Sequence, residues 1–112
     1  MPHIRIRALR DSDVKQLSQV LPGELSQIMN TPEDNFTVEK LPTVFYRAGV
    51  VVPDGEGDPM IEIHWFDRGP EVKSTVAKRV TDLVRTCSKS EYIAVVFFDL
   101  PKSNYFENGI HF

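Results

Sequence analysis

The chain opens with MPHIRIRAL, residues 1–9, in which a proline follows the initiator methionine and apolar and polar side chains then alternate. This alternation favours a β-strand over residues 3–9 with one buried face. If Met1 is removed, Pro2 becomes a secondary amine at the start of this strand. If Met1 stays, the Pro2 nitrogen is an amide, and the proline only begins the strand at a position that tolerates it.

The opening pattern returns halfway along the chain. PMIEIHWFDR, residues 59–68, aligns without a gap with PHIRIRALRD, residues 2–11, and the proline and both isoleucines coincide. The turn-rich acidic segment PDGEGDP, residues 53–59, separates the two halves. We therefore predict a single domain over residues 1–112, with pseudo-repeats at about 2–52 and 59–100 and a tail at 101–112.

A helical pattern follows each of the two opening strands. Apolar residues recur at helical spacing between Val14 and Met29, and Asp13 with Gln16 has the spacing of a capping box. The pair Pro22-Gly23 interrupts this helix, so the sequence predicts a kink or two helical pieces. The second helix begins at Pro70 and has a regular apolar stripe, formed by Val72, Val76, Val80, Leu83, Val84 and Cys87.

Another strand follows each helix. Leu41-Pro42 favours a bulge or an edge position for the strand that contains Val38. The apolar run at 92–98 is instead typical of a central strand covered on both faces. The order predicts an α+β fold with a mixed four-stranded sheet, because right-handed crossovers put both helices on one face. Apolar residues left on the other face, Val96 and Phe98 among them, favour oligomerisation.

Length and composition argue against several classes of function. The 112 residues are 41% apolar and 26% charged, values typical of a folded globular domain. The net charge of −3 argues against nucleic acids and anionic membranes as partners. The single cysteine cannot form an internal disulfide, no apolar run has membrane length, and the start lacks a signal-peptide core. We expect a reduced, soluble, cytoplasmic protein.

The sequence predicts no metal or cofactor site. Cys87, His3 and His64 have no partners at metal-ligand spacing, and the chain has no glycine-rich phosphate loop. The two histidines could act as acids in a pocket, although histidines on strands are more often packed and hydrogen-bonded. Glu39 could be a second acid or base, or a surface residue beside Lys40.

The order of these features resembles the tautomerase superfamily. The opening MPH with its alternating strand is similar to 5-carboxymethyl-2-hydroxymuconate isomerase, and residues 59–83 are similar to the short 4-oxalocrotonate tautomerase chain. The end of the chain, YIAVVFFDL at 92–100 and NGIHF at 108–112, resembles macrophage migration inhibitory factor. The overall profile is similar to an uncharacterised bacterial branch of the superfamily, which carries a domain-of-unknown-function label.

This resemblance implies a homotrimer with pockets at the subunit boundaries and a small keto or enol acid as substrate, without a cofactor. It also implies that Pro2 is the general base, since apolar surroundings lower the pKa of its amine toward neutrality. Arg68 and Arg47 are the candidates for binding the substrate carboxylate. The residues expected to line the pocket are Phe66, Tyr105, Glu107 and Phe112.

Other helpers of the family differ in this chain. The lysine after the first helix is replaced by Asn30-Thr31-Pro32, the tyrosine and asparagine of the last strand by Ala94 and Val96, and the arginine of the second strand by Thr37. Two alternatives therefore stay open. The chain could be a non-catalytic trimer with a binding or structural role, or a monomeric ferredoxin-like module that binds a ligand.

Overall fold

The computed structural model describes all 112 residues. Two long helices and eight strands follow one another in the order β1 (His3–Arg7), α1 (Asp11–Met29), β2 (Thr37–Leu41), β3 (Tyr46–Arg47), β4 (Val50–Val51), β5 (Met60–Trp65), α2 (Pro70–Arg85), β6 (Ala94–Asp99), β7 (Phe106–Glu107) and β8 (Ile110–His111). Short 3-10 turns at Glu33–Asn35 and Lys102–Asn104 precede β2 and follow β6. Neither long helix has the apolar character needed to cross a membrane.

Four strands form the main sheet in the order β2-β1-β5-β6. The two central strands are antiparallel, and each pairs in parallel with the strand that follows its own helix. Thr37 lies beside His3 in the first half and Ala94 lies beside Met60 in the second, so the two halves share one register. The predicted α+β fold with a mixed four-stranded sheet is therefore confirmed.

Both helices pack on one face of the sheet because the two repeated strands bury equivalent positions. Ile4 of β1 and Ile61 and Ile63 of β5 are fully buried, and they belong to one core with the apolar stripes of α1 and α2. Trp65 ends the buried row, and its indole N–H donates to Asp99 at 2.7 Å. Burial of each large apolar side chain contributes about 1.5–3 kcal/mol. The repeated alternation thus decides which face of the sheet the helices cover.

The first helix differs from its prediction in two ways. The capping box at Asp13 is wrong, because the helix begins two residues earlier and Asp13 accepts instead from the Arg10 guanidinium at 3.0 Å. The helix also continues through Pro22, so of the two outcomes predicted there the division into two pieces is wrong. Leu21 and Leu25 are fully buried on either side of the proline, and their packing offsets the backbone hydrogen bond that proline cannot make.

The last strand of the sheet, β6, is an edge strand, so the prediction of a central strand covered on both faces is wrong for the single chain. Val96 and Phe98 remain exposed on the face away from the helices. Much of that face is polar, since Arg5 reaches Glu39 at 3.0 Å and Glu62 at 3.7 Å on the two neighbouring strands. The edge position predicted for β2 is confirmed.

Two short hairpins occupy equivalent places in the halves. The pair β3 and β4 follows β2, and the pair β7 and β8 follows β6. Each hairpin is closed by a backbone bond between its flanking residues, from Val52 to Phe45 at 2.8 Å and from Phe112 to Tyr105 at 3.1 Å. Both hairpins expose large apolar side chains, namely Tyr46, Val50, Val51, Phe106 and Ile110.

We expect Ile63→Ala to lower the free energy of unfolding by about 2–5 kcal/mol, because it opens a cavity between the sheet and the helices. The matched control is Val20→Ala on the outer face of α1, where the side chain is 36% exposed. That change should move stability by no more than about 0.5 kcal/mol. Urea unfolding followed by circular dichroism measures both. Equal losses for the two variants would contradict the described core.

Candidate functional site

Strand β1 places Pro2 at one end of the central strand pair. The Pro2 ring is fully buried, and its carbonyl accepts the backbone N–H of Thr37 at 3.1 Å. The α-amine of Met1 lies near Arg68 and Glu107. Burial is the main cause that lowers the pKa of this amine, Arg68 lowers it further, and Glu107 opposes the change. This end of the sheet therefore weakens the hold of an N-terminal amine on its proton.

Three aromatic rings meet at the same end of the sheet. Phe66 follows the last residue of β5, and Tyr105 and Phe112 flank the hairpin of β7 and β8. The ring centroids lie 5.4 Å apart for Phe66 and Tyr105, 5.6 Å for Phe66 and Phe112, and 5.5 Å for Tyr105 and Phe112. Phe66 is buried, while Phe112 is half exposed. The structure thus brings three of the four predicted lining residues together into one aromatic cluster.

Arg68 is a partly buried cation held by neutral oxygens. Its guanidinium donates to the carbonyl of Phe66 at 2.6 Å, the carbonyl of Met29 at 3.2 Å and the hydroxyl of Thr31 at 2.9 Å. It also lies over the Trp65 ring at 5.4 Å. Burial lowers the pKa of Arg68, but a guanidinium stays charged in proteins. Two of its five N–H groups are not used by these three bonds, so it can still bind an anion.

His3 lies next to Pro2 and is bound on both sides of its ring. Its Nδ1 lies 2.6 Å from the hydroxyl of Thr37, and its Nε2 lies 2.7 Å from the hydroxyl of Tyr105. Burial is the main cause that lowers the pKa of His3. Burial also raises the pKa of the Tyr105 hydroxyl, and the nearby Glu107 carboxylate raises it further. The surroundings therefore favour the neutral form of both side chains.

Arg47 lies at the opposite end of the central strands. Its guanidinium pairs with Asp58 at 3.3 Å. Asp58 precedes β5, which runs antiparallel to β1, so it lies beside the far end of β1. The rise of a five-residue strand puts this end about 15 Å from Pro2. Within one chain, the structure brings Arg68 but not Arg47 to the Pro2 end.

A cavity of about 630 Å³ lies at that far end. Charged side chains line much of it, including Arg10, Arg47 and Asp58. It adjoins the start of β5, where Pro59 is buried as Pro2 is at the start of β1. Pro59 is an internal residue, so its nitrogen is an amide and cannot accept a proton as an amine can. Each end of the sheet thus has a central strand that starts with a buried proline, but only the proline at the β1 end can become an amine.

Thr37 is the site residue that sequence reasoning missed. The parallel register of β1 and β2 sets it beside His3, and that register is the signal that could have found it.

Glu39, weighed as an acid or base, is an exposed residue whose carboxylate accepts a hydrogen bond from Arg5 on the open face of the sheet. No group of three or more histidine, cysteine or carboxylate side chains is arranged to hold a metal ion.

Comparisons with known proteins identify relatives over the whole chain. Residues 1–111 match the family described as Domain of unknown function (DUF1904). The crystal structure of a DUF1904 domain from Sebaldella termitidis ATCC 33386 is 33% identical, with 100% of each chain covered and a TM-score of 0.90. No curated protein matches the sequence.

Structures of the tautomerase superfamily match the fold at lower identity. The macrophage migration inhibitory factor-like protein of Entamoeba histolytica is 16% identical, with 99% of this chain and 98% of that chain covered and a TM-score of 0.77. A fused 4-OT wild type asymmetric trimer is 12% identical, with 96% of this chain and 93% of that chain covered and a TM-score of 0.79. These likenesses confirm the tautomerase-like fold.

We expect His3 to titrate at a lower pH in the folded protein than in the urea-unfolded chain, because its environment disfavours the charged ring. As the pH falls below the ordinary histidine value of 6.5, the unfolded chain takes up this proton first, so His3 lowers the stability of the fold toward acid. NMR titration of the ring signals in the two states measures the midpoints. A folded midpoint at or above the unfolded one would contradict the described environment.

Proposed function

Because this chain belongs to the DUF1904 family and has the tautomerase fold, we propose that it is a tautomerase that moves a proton within a small keto or enol acid, with Pro2 as the base. The proposal rests mainly on one observation. Pro2 is buried at the end of the sheet where Arg68, held only by neutral oxygens, acts on the amino terminus of the chain. A base of lowered pKa and a cation that can accept a carboxylate are the two parts that this chemistry requires.

The reaction needs the amine of Pro2, so Met1 must first be removed. Burial and the charge of Arg68, which lower the pKa of the Met1 amine at this end of the sheet, would act in the same direction on the pKa of the Pro2 amine. The amine takes the proton from the hydroxyl of an enol, and its new N–H bond breaks as it returns the proton to carbon. No electrons are exchanged and no cofactor takes part in this sequence.

The neighbours of Pro2 have separate roles in this proposal. Arg68 binds the substrate carboxylate with its unused N–H groups. The hydroxyl of Tyr105 donates to the substrate oxygen, where negative charge develops as the enolate forms. The aromatic cluster of Phe66, Tyr105 and Phe112 covers the apolar part of the substrate and excludes water, which strengthens the two polar contacts.

We also propose that the working form is a homotrimer. The edge strands β2 and β6 have one free edge each, and both hairpins expose apolar side chains. Phe112 of the aromatic cluster is 51% exposed, so the cluster is open on one side in a single chain. The fused 4-OT neighbour is named as a trimer. A neighbouring copy would cover this open side.

The alternative is a non-catalytic binding or structural protein with the same fold. One observation favours it, namely the position of the 630 Å³ cavity at the other end of the sheet. A protein of this kind would keep Met1, or would lose it without gaining activity. The two proposed functions therefore differ in whether Met1 is removed and whether its removal is accompanied by activity.

We expect intact-mass analysis of the untagged protein to show that Met1 is absent. The ketonisation of phenylenolpyruvate and of 2-hydroxymuconate should then exceed the uncatalysed rate, and Pro2→Ala should lower kcat/KM by about 10²–10⁴-fold because it removes the secondary amine. The matched control is Pro59→Ala at the equivalent strand start, which should keep the activity. Retained methionine, or equal rates for wild type and Pro2→Ala, would exclude Pro2 as the base.

We expect Arg68→Gln to raise KM by about 10- to 100-fold, because a charge-assisted bond to the substrate carboxylate is lost. Arg85→Gln, an exposed change at the end of α2, is the matched control and should leave KM as it is. Arg47→Gln should raise KM only if a neighbouring copy brings Arg47 to the Pro2 end. An unchanged KM for Arg68→Gln in a folded protein would contradict the role of this arginine.

A further inference from the structure

A closed ring of hydrogen bonds ties Arg68 to the end of helix α1. The Nε–H of Arg68 donates to the carbonyl of Met29 at 3.2 Å, and Nη2 donates to the hydroxyl oxygen of Thr31 at 2.9 Å. The Thr31 hydroxyl in turn donates to the same Met29 carbonyl at 3.2 Å. A guanidinium can only donate, so Thr31 must accept from Arg68, and its single hydroxyl hydrogen is left for Met29. The direction of every bond in the ring is therefore fixed.

The ring occupies one edge of the Arg68 guanidinium. Nε and Nη2 lie on that edge, and Nη1 donates separately to the carbonyl of Phe66 at 2.6 Å. A guanidinium has five N–H groups, so the two that remain are one on Nη1 and one on Nη2. Two N–H groups of this kind can bind both oxygens of one carboxylate. Because the Arg68 residue is only partly buried, a ligand can reach them.

The surroundings of Arg68 support the guanidinium without pairing its charge. Its central carbon lies 5.4 Å from the centroid of the Trp65 ring, which is fully buried. Arg10 and Arg47 each pair with a carboxylate, but the three acceptors that bind Arg68 are neutral oxygens. Helix α1 has no basic residue in its last turn, so Arg68 is the cation that meets the negative end of this helix. An anionic ligand therefore has no carboxylate of the chain to displace from Arg68.

The second half of the chain lacks this ring although its backbone is equivalent. Thr31 lies six residues before Thr37, which begins β2, and Ser88 lies six residues before Ala94, which begins β6. Thr31 and Ser88 are both 7% exposed. The Ser88 hydroxyl oxygen accepts the backbone N–H of Ser90 at 3.2 Å instead of an arginine. The ring is thus a property of the Pro2 end and not a requirement of the fold.

We infer that Thr31 is a positioning residue, which holds the Nε edge of Arg68 against the end of α1 and leaves one N–H on each terminal nitrogen for the two oxygens of a ligand carboxylate. An arginine side chain is long and flexible, so holding it before the ligand arrives lowers the entropy lost on binding. The effect on catalysis rests on the proposed function of Pro2 and Arg68. The binding of an acid does not, because it needs no amine at Pro2.

The first experiment measures binding to the full-length protein with two probes of matched shape, phenylacetate and its uncharged amide, phenylacetamide. NMR titration should show that wild type prefers the acid and that Arg68→Gln loses this preference. Thr31→Val, which keeps the shape and removes the hydroxyl, should weaken acid binding about 10-fold and leave amide binding unchanged. Thr31→Ser should restore acid binding. Equal acid affinity in wild type and a folded Thr31→Val protein, or no preference of wild type for the acid, would overturn the inference.

The matched control is Thr86→Val at the end of α2. The Thr86 hydroxyl also donates to a backbone carbonyl at a helix end, that of Leu83 at 2.6 Å, but it does not bind an arginine. This variant should bind both probes as wild type does. A crystal structure of wild type with phenylacetate gives a test that needs no substitution. The two carboxylate oxygens should lie on Nη1 and Nη2 of Arg68, and a carboxylate that takes the place of Thr31 on Nη2 would overturn the inference.

The second experiment tests the positioning role by a double-mutant cycle on phenylenolpyruvate ketonisation. Thr31→Val should raise KM about 10-fold with little change in kcat, because the carboxylate contact is made equally by the substrate and by the transition state. Thr31→Ser should keep the KM of wild type. In an Arg68→Gln background, Thr31→Val should have no further effect. An equal rise in KM in both backgrounds would overturn the positioning role, because Thr31 would then act independently of Arg68.

The outcomes separate this inference from the proposed function. If wild type has no activity but its preference for the acid depends on the Thr31 hydroxyl, the proposed function fails and the inference stands. If wild type is active and Thr31→Val binds the acid as wild type does, the inference fails while the proposed function stands.

Discussion

The antiparallel pairing of β1 with β5 is the contact on which the rest of the structure depends. It joins the two βαβ halves at the centre of the sheet and buries their isoleucines under both helices. It also sets the start of β1 beside the end of β5, so that residues following β5 meet the start of the chain. Phe66 and Arg68 lie at the Pro2 end of the sheet for this reason, although more than half of the sequence separates them from Pro2.

The pattern of apolar residues alone predicted the two halves, both helices and the face of the sheet that the helices cover. It could do so because buried residues recur at every second position of a strand and about every 3.6 positions of a helix. It could not predict the edge position of β6. A strand has the same run of apolar residues whether the surface that covers it belongs to its own chain or to another one. Nor could it predict that α1 passes through Pro22, because tertiary packing of Leu21 and Leu25 decides that. The grouping of Phe66, Tyr105 and Phe112 came from the family resemblance. Thr37 was missed as a site residue because the sequence of one strand does not show which residue of the neighbouring strand lies beside it.

The two ends of the sheet show how one backbone frame carries different electrostatics. At the far end, Arg47 is neutralised by Asp58 and Arg10 by Asp13. At the Pro2 end, Arg68 is held in place by carbonyl and hydroxyl oxygens, which fix its position without cancelling its charge. A cation fixed in this way needs little rearrangement when an anion arrives, which is the condition for effective electrostatic stabilisation.

Joining two equivalent units in one polypeptide has a consequence for stoichiometry. Each unit begins a central strand with a buried proline, but a chain has one amino terminus, so only half of these prolines can ever present an amine. An assembly of such chains thus holds one possible base for every two strand starts. If Pro2 is the base, the side chains around Pro59 have no amine whose pKa they must adjust, and they can serve solubility, folding or contact with other molecules.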